Sequence, residues 1–410
     1  MNQGTGDFDL PLRRGPRRLS RRELFRYGAL GAGALSLAPL LAACGGSEEG
    51  NSDSSGEGFD YKGAEKAGVL NFANWPYYMD TKKVGGEAVH PSLERFQDDT
   101  GIKVNYREVI EDYASFFAKL QPLLESGKDT GWDLIVMGYP KWLPLMIQLD
   151  YLMPLDGSYL DNFKSFAGDK YKSPSYDPGN RFSIPWQSGI TGIGYDPELT
   201  GREITSIKDL FDPAFEGKVG MLGDTEDMPN LTLLGMGVEP SQSNEDDWQK
   251  AAGMLADQRD SGIVRQYYGQ GYIGALQRGD VALTMAWAAD IFISNNSGFP
   301  NLKFVVPEEG ALLWTDHLCV PRGAKHPLDA ITYMDYVYEP EVAAMITGWV
   351  QTVSPVPKAQ EILATDQKEV ATSPLVFPTP DMYTQLHDYR ILEPDEEETW
   401  NNLFQPIYQS

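Results

Sequence analysis

The sequence contains few of the residues on which disulfide bonding, metal binding and nucleophilic catalysis depend. Only two cysteines, Cys44 and Cys319, and four histidines occur among its 410 residues, so a disulfide-rich scaffold is excluded and no metal-ligand spacing is visible. No Gly-x-Ser-x-Gly elbow and no phosphate-binding glycine loop is present. These absences predict a protein that is not an enzyme and has neither metal nor cofactor. A glycosidase carboxylate pair stays open, because acidic residues are abundant.

Basic residues are also scarce relative to acidic ones. The chain has 34 Lys and Arg against 59 Asp and Glu, which gives a formal net charge of −25. Residues 1–43 contain seven Arg and three acidic residues (+4), so the charge of the remainder is near −29. This balance argues against nucleic-acid binding and favours either cationic partners or simple solubility.

No hydrophobic run is long enough to span a membrane, but the first residues contain two targeting motifs. Residues 27–43 form a Gly, Ala and Leu run that is too short and too weakly apolar for a spanning helix. Residues 20–25, Ser-Arg-Arg-Glu-Leu-Phe, resemble a twin-arginine export motif. Residues 41–44, Leu-Ala-Ala-Cys, resemble the cleavage box of bacterial lipoproteins.

These motifs predict an exported protein that is anchored by lipid. Residues 1–43 are expected to be a signal peptide that is removed, and Cys44 is expected to carry a diacylglyceryl group, which gives stable anchoring. Residues 44–66, rich in Gly, Ser and Glu, are expected to be a flexible tether. The mature chain would then lie at the periplasmic or extracellular face of the cell membrane.

Beyond residue 67, strand patterns alternate with helix patterns. The sequence predicts strands at 69–73, 102–106 and 132–137 and helices at 91–101 and 113–126. Strands that alternate with helices indicate a parallel sheet with right-handed crossovers. Removing 43 of 410 residues leaves 367, which is enough for two α/β lobes.

Later strand patterns predict that the chain passes from one lobe to the other and back. Two short strands are expected at 182–186 and 190–196, near a lobe boundary, and another strand is expected at 314–321. The predicted lobes have these bounds: 67–188 and 312–353 for lobe 1, and 189–311 and 354–410 for lobe 2.

A further apolar run, residues 281–290, ends in two residues suited to bind a cation. It predicts a buried strand followed by Trp287 and, three residues later, Asp290. Ligands of α/β folds bind beyond the carboxyl ends of strands. There an indole face attracts a cation, and a carboxylate pairs with the N–H donors of that cation. A core tryptophan followed by a helix-capping aspartate is the alternative.

Six motifs, in this order along the chain, resemble those of one family. They are Asn74-Trp75-x-x-Tyr78, Trp132-Asp133-Leu134-Ile135-Val136, Ser183-Ile184-Pro185-Trp186, Gly192-Ile193-Gly194-Tyr195-Asp196, Trp287-x-x-Asp290 and Trp314-Thr315-Asp316. Together they are similar to bacterial extracytoplasmic solute-binding proteins, and more narrowly to the polyamine-binding proteins of spermidine/putrescine ABC importers. The resemblance implies an α/β fold of the two-lobe periplasmic-binding-protein type (type II), in which crossing strands join the lobes and the ligand lies between them. It also implies a monomer that delivers a polyamine to ABC permease subunits in the membrane.

The resemblance implies a set of ligand-binding residues as well. They are Trp75, Tyr78, Tyr139, Asp224, Asp227, Trp287, Asp290 and Asp316. Glu226 is the alternative to Asp227, because the alignment needs a gap of one residue. Where many relatives have a serine followed by an aromatic residue, this chain has Gly138 and then Tyr139. A hydroxyl contact is lost at Gly138, and Tyr139 is expected to replace it in part.

The chemistry of these residue types agrees with a polyamine. Ammonium groups need carboxylate partners when they are buried, and methylene groups need flat apolar walls. Aromatic walls also suit a sugar, and the fold could bind a cationic vitamin, an opine or another small organic solute. Tyr267 and Tyr268 could indicate iron, because some ferric-binding relatives use adjacent tyrosines.

Overall fold

A computed structural model describes residues 59–393 and 395–409. The predicted signal peptide, Cys44 and most of the predicted tether lie outside these residues. The end of the tether does not: Tyr61 is only 3% exposed and packs in a hydrophobic core, and its carbonyl accepts a hydrogen bond from the Tyr159 hydroxyl at 2.9 Å. The composition argument overlooked this aromatic residue, whose burial attaches residues 59–66 to the folded body.

Ten of the strands in the described residues form one sheet. The strands are β1 Val69–Asn74, β2 Lys82–Val84, β3 Glu87–Val89, β4 Lys103–Glu108, β5 Leu134–Tyr139, β6 Ser183–Tyr195, β7 Val219–Leu222, β8 Val264–Tyr268, β9 Leu283–Trp287, β10 Lys303–Val305, β11 Ala311–Cys319 and β12 Leu386–His387. The order in the sheet is β4-β1-β5-β11-β6-β9-β7-β8, with β10 beside β6 and β12 beside β11, while β2 and β3 form a separate hairpin. The sheet is parallel at both ends, as predicted, and antiparallel where β11 and β6 lie in its middle.

Helices connect the strands and cover the sheet. The α-helices of the described residues are α1 Pro91–Thr100, α2 Tyr113–Glu125, α3 Trp142–Gln148, α4 Asp161–Phe166, α5 Pro197–Thr200, α6 Asp227–Gly235, α7 Glu245–Asp260, α8 Tyr272–Gln277, α9 Ala288–Asn296, α10 Pro327–Tyr336, α11 Pro340–Val350, α12 Ala359–Asp366, α13 Lys368–Thr372, α14 Pro380–Tyr383 and α15 Glu396–Gln409. Short 3-10 helices lie at Gly157–Tyr159, Asp169–Tyr171, Ile207–Phe211, Pro213–Phe215 and Pro240–Gln242. The strands and helices predicted between residues 69 and 137 are confirmed. Among residues 59–393 and 395–409 no helix is long and apolar enough to cross a membrane.

Two large hydrophobic cores correspond to two lobes, which confirms the predicted fold class. The first core contains buried residues from 61–186 and 318–376, and the second contains residues from 193–312 and 389–407 together with Tyr139. The strands β6 and β11 run through both. Val356, Leu363 and Val370 pack in the first core, so we propose a lobe boundary later than the predicted one at residue 353.

The crossing strand β6 differs from its prediction. Instead of two short strands, Ser183–Tyr195 form one strand in which every residue is buried. Pro185 lies in this central strand although it has no N–H to donate, and the register with β11 shifts at a bulge between Asp316 and His317 that lies opposite it. Bulges accommodate proline and redirect the neighbouring side chains. Because β6 continues through Pro185 as one strand, its register shift against β11 lies beside Asp316.

Candidate functional site

Asp316 receives hydrogen bonds from two tyrosines. The Tyr78 hydroxyl donates to Oδ2 at 2.7 Å, and the Tyr113 hydroxyl donates to Oδ1 at 2.5 Å. Tyr78 follows the end of β1 and Tyr113 begins α2, so three separate elements meet here. We call Asp316, Tyr78 and Tyr113 the Asp316 cluster; Asp316 is half-buried in it.

The absence of a side chain at Gly138 makes this cluster possible. Gly138 is the register partner of Asp316 on β5. A Cβ atom there would lie 2.6 Å from Cε2 of Tyr113 and 3.0 Å from Oδ1 of Asp316. The Tyr113 side chain thus occupies the space that a serine side chain would take, whereas the sequence predicted that Tyr139 would replace the serine hydroxyl in part. Trp75 packs edge-to-face on the Tyr113 ring, with 4.9 Å between the centroids.

Asp227 is the centre of a second cluster, in the second core. Thr191 and Tyr389 donate to its Oδ1 at 2.8 and 2.5 Å, and the Trp287 indole N–H donates to its Oδ2 at 2.9 Å. We call Asp227, Thr191, Tyr389 and Trp287 the Asp227 cluster. Asp227 is the first residue of α6 and is 7% exposed. Its buried carboxylate therefore accepts hydrogen bonds from three donors, all of them neutral.

Asp290 lies next to this cluster. It is in the first turn of α9, immediately after β9 ends at Trp287. The Tyr272 hydroxyl donates to Oδ2 of Asp290 at 2.7 Å and accepts from the backbone N–H of Trp287 at 3.0 Å. The predicted spacing of tryptophan and aspartate is thus held by a tyrosine from α8.

Trp314 lies between the two clusters. It precedes Asp316 by two residues on β11, so both side chains point to the same face of the strand. Its ring lies against β6 at Gly189, where a Cβ would be 2.0 Å from Cζ2 of the indole. On β6, Gln187 is the register partner of Asp316 and Thr191 is the register partner of Trp287. Gln187 and Thr191 are four residues apart, which is about 13 Å along the strand. The half-buried indole of Trp314 therefore lies on the same face as both clusters, between them.

Asp224 and Glu226 have different surroundings. Oδ1 of Asp224 accepts from the backbone N–H groups of Glu226, Asp227 and Met228 at 3.0, 2.6 and 3.3 Å, as a helix cap does. Glu226 lines a cavity of about 110 Å³ together with Lys141, Arg390 and Glu397. Of the two residues that the alignment left open, Asp227 is the one that accepts the hydrogen bond of the Trp287 indole.

Tyr139 is buried beneath the clusters. It is 5% exposed, stacks on Tyr176 with 4.1 Å between the ring centroids, and donates to the Tyr389 carbonyl at 3.4 Å. Since the Tyr389 hydroxyl donates to Asp227, Tyr139 is connected to the Asp227 cluster only through another residue. These contacts favour a positioning role over the predicted direct contact with ligand.

Neither the half-buried carboxylate of Asp316 nor the buried carboxylate of Asp227 forms an ion pair with a described residue. Burial raises the pKa of Asp316 to about 6, although the hydrogen bonds from Tyr113 and Tyr78 lower it, and burial also raises the pKa of Asp227. Burial and the negative charges of Asp227 and Glu226 raise the pKa of Asp224 well above its usual value. No ion pair formed by residues 59–393 and 395–409 includes Asp316 or Asp227. A cation between the clusters would relieve this desolvation.

The described residues offer little for a metal. They contain no group of three or more His, Cys, Asp or Glu side chains that could hold an ion. Tyr267 and Tyr268 are consecutive on β8, so their side chains point to opposite faces of the strand. That arrangement argues against iron binding by this pair.

Comparison with known proteins identifies the family. Residues 92–378 match the model of the family described as "Bacterial extracellular solute-binding protein". The chain belongs to this family. This membership confirms that it is a solute-binding component rather than an enzyme, and that it acts outside the cytoplasm.

Individual proteins are similar to this chain over most of their length. The spermidine/putrescine-binding periplasmic protein of Escherichia coli is 27% identical over 317 residues, which cover 77% of this chain and 84% of that protein. The putrescine-binding periplasmic protein PotF of the same organism is 25% identical over 344 residues, 80% of this chain and 87% of PotF. The crystal structure of the Streptococcus pneumoniae spermidine/putrescine ABC transporter substrate-binding protein PotD has a TM-score of 0.71 at 22% identity, covering 83% of this chain and 98% of that one.

Proposed function

We propose that this chain binds a polyamine of the putrescine or spermidine type between its lobes and delivers it to an ABC importer. The observation that carries the proposal is a pair of carboxylates whose hydrogen-bond donors are all neutral: the half-buried Asp316 and the buried Asp227. The two similar Escherichia coli proteins are named for the binding of such ligands. We propose that the ligand contacts Trp75, Tyr78, Trp287, Asp290 and Asp316, and also Asp227 and Trp314.

The interactions expected for a diamine fit these surroundings. Each hydrogen bond between an ammonium and a carboxylate contributes roughly 1.5–3 kcal/mol, and a desolvated cation–π contact contributes about 2 kcal/mol. Each oxygen of Asp316 accepts one tyrosine hydrogen bond and keeps a second lone pair for an ammonium. The methylene chain would pack on Trp314, the indole between the clusters. Because the ligand would contact residues of both cores, it would favour a closed arrangement of the lobes.

Calorimetry with matched ligands tests the proposal. Putrescine, cadaverine, spermidine and spermine are titrated beside 1,4-butanediol, which has the carbon chain of putrescine but no charge. We expect at least one of the amines to bind in the micromolar range or tighter and the diol to show no binding. Equal binding of diol and diamine would instead support the neutral-solute alternative. Amines that bind no more tightly than ordinary salts would contradict the proposal.

The affinity for putrescine is expected to decrease as the pH is lowered from 7.5 to 5. Ionised Asp316 is the form that binds an ammonium, and aliphatic ammonium groups stay protonated below pH 8. With the pKa of Asp316 at about 6, only about a tenth of this carboxyl is ionised at pH 5, so the affinity should be about tenfold lower there than at pH 7.5. Calorimetry at both pH values measures this ratio.

Asp316 affects the stability of the ligand-free protein in the opposite direction: it makes the stability fall as the pH rises. Its pKa is raised in the folded state from the ordinary value of 3.8 to about 6. Its stabilising contribution is therefore fully present below about pH 4 and is lost as the pH rises through 6. In the Asp316→Asn variant, the pH dependence that this carboxyl gives to the putrescine affinity and to the stability should be absent. An affinity that stays constant between pH 7.5 and 5 would contradict the role of ionised Asp316.

We also propose that lipid on Cys44 anchors the chain and that ABC permease subunits are its partners in the membrane. The support is the motif at residues 41–44 and the family of the chain. In cells that express the full chain, Cys44→Ser is expected to move the protein from the membrane fraction to the soluble exported fraction. Immunoblots of the two fractions measure this change. Retention of the variant in membranes would contradict the anchor, and leave the ligand proposal untouched.

A further inference from the structure

We propose that Tyr113 closes the end of the ligand site beyond Asp316 and thereby selects amines whose nitrogen carries no substituent at that end. This inference rests on the proposed binding of polyamines between the lobes. It concerns one specificity-determining residue, which the motifs of the sequence did not include.

The ring of Tyr113 is fixed from three sides. Its hydroxyl donates to Oδ1 of Asp316 at 2.5 Å, and its ring meets Trp75 edge-to-face at 4.9 Å. Its third neighbour is the backbone of β5, because a Cβ on Gly138 would be 2.6 Å from Cε2 and 3.2 Å from Cζ of the tyrosine. The ring therefore occupies the space above Gly138 and has little room to move.

The order of the strands places this ring at one end of the proposed site. Across the sheet the order is β1, β5, β11, β6 and β9. Gly138 lies on β5, Asp316 on the adjacent β11, and Trp287 on β9. Trp314, from β11, covers Gly189 of β6. Along this direction Tyr113 therefore lies on one side of Asp316, and both Trp314 and Trp287 lie on the other.

This arrangement limits the shape of the ligand. A nitrogen bound at Asp316 can continue into a carbon chain toward Trp314 and Trp287. We expect a second carbon substituent on that nitrogen to meet the Tyr113 ring, which occupies the space above Gly138 next to Asp316. The nitrogen at Asp316 is thus expected to be a terminal primary ammonium. An amine with substituents on both end nitrogens has no orientation that avoids the ring.

The test compares putrescine with N,N′-diethylputrescine by calorimetry. Both are dications with the same four-carbon spacer, but each nitrogen of the second ligand carries an ethyl group. Each substituted nitrogen still has two N–H donors, which match the two remaining lone pairs of Asp316. The protein as sequenced should bind the diethyl compound at least tenfold more weakly than putrescine.

Variants at Tyr113 identify the cause of this discrimination. Tyr113→Ala opens the space above Gly138, and the ratio of the two affinities should then fall to within about threefold. Tyr113→Phe keeps the ring and loses the hydroxyl, so both ligands should weaken while their ratio stays at tenfold or more. The control is Tyr159→Ala, which removes another half-buried tyrosine whose hydroxyl donates to the Tyr61 carbonyl at 2.9 Å. It should leave both affinities unchanged.

The outcomes separate this inference from the function on which it rests. If the protein binds no amine at all, the polyamine proposal fails. If it binds both ligands equally, or if Tyr113→Ala discriminates as strongly as the parent protein, then only the role of Tyr113 is wrong. Equal binding of the two ligands by the parent protein rules out this role of Tyr113 even if a variant does not fold.

Discussion

Replacing Asp316 by asparagine is expected to weaken putrescine binding by about 100-fold or more without lowering the melting temperature of the ligand-free protein. Removing one partner of a buried charge pair reduces binding by 2–5 kcal/mol or more. Without ligand the same carboxylate opposes folding at pH 7.5, because burial raises its pKa to about 6. The shift corresponds to a cost of roughly 3 kcal/mol for folding with an ionised Asp316, which asparagine would not have. Part of this gain is lost, because asparagine accepts weaker hydrogen bonds from Tyr78 and Tyr113. Calorimetry and thermal unfolding of the same sample measure both effects.

A structural aspartate provides the matched control for this substitution. Asp329 is 1% exposed, and its carboxylate accepts from the backbone N–H groups of Ala67 and Gly68 at 2.9 and 3.0 Å. Asp329→Asn should lower the melting temperature and leave the affinity for putrescine unchanged. If Asp316→Asn behaved as Asp329→Asn is expected to, Asp316 would be a structural residue and the proposed site would be wrong.

Adding one methyl group at Gly189 is expected to reduce both stability and binding. A Cβ there would lie 2.0 Å from Cζ2 and 2.5 Å from Cε2 of Trp314, so the indole must leave its place between the two clusters. Overpacking of this kind lowers the free energy of unfolding by about 1–3 kcal/mol. Loss of the apolar and cation–π contacts of Trp314 with the ligand should lower the affinity for putrescine by about tenfold or more. Denaturant unfolding and calorimetry of Gly189→Ala measure these changes.

Two further variants separate crowding from loss of the ring. Gly253 lies in α7, and a Cβ added there would meet no side chain within 4 Å, so Gly253→Ala should raise the free energy of unfolding by up to about 1 kcal/mol. The double variant Gly189→Ala with Trp314→Ala should regain stability relative to Gly189→Ala alone, but it should not regain affinity. Full affinity in Gly189→Ala would show that Trp314 does not contact the ligand.

Local sequence patterns were sufficient for much of the fold. The helix at residues 113–126 and the strand at 69–73 were predicted from their apolar periodicity, which tertiary packing reinforces. The continuous strand β6 was not predicted, because a proline and a polar Gln-Ser-Gly stretch interrupt its apolar pattern. Its middle residues are held by pairing with β11, a strand more than a hundred residues later, and no local pattern contains that information.

The same limit applies to the site. The resemblance supplied Trp75, Tyr78, Trp287, Asp290 and Asp316, whose motifs are visible along the chain. It did not supply the tyrosines and the threonine that orient the carboxylates: Tyr113, Thr191, Tyr272 and Tyr389. Tyr113 bonds a residue 203 positions away, and only the missing side chain at Gly138 indicated that another group fills this space.

The central claim is that a bound dication joins Asp316 to a carboxylate beside Trp287, that of Asp227 or of Asp290. The crystal structure of the complex with putrescine tests it most directly. We expect one ligand nitrogen within about 3.2 Å of an Asp316 oxygen, the other nitrogen at Asp290 or Asp227, and the methylene groups against Trp314 and Trp287. A bound ligand whose nitrogens do not contact both Asp316 and one of Asp227 and Asp290 would contradict this account.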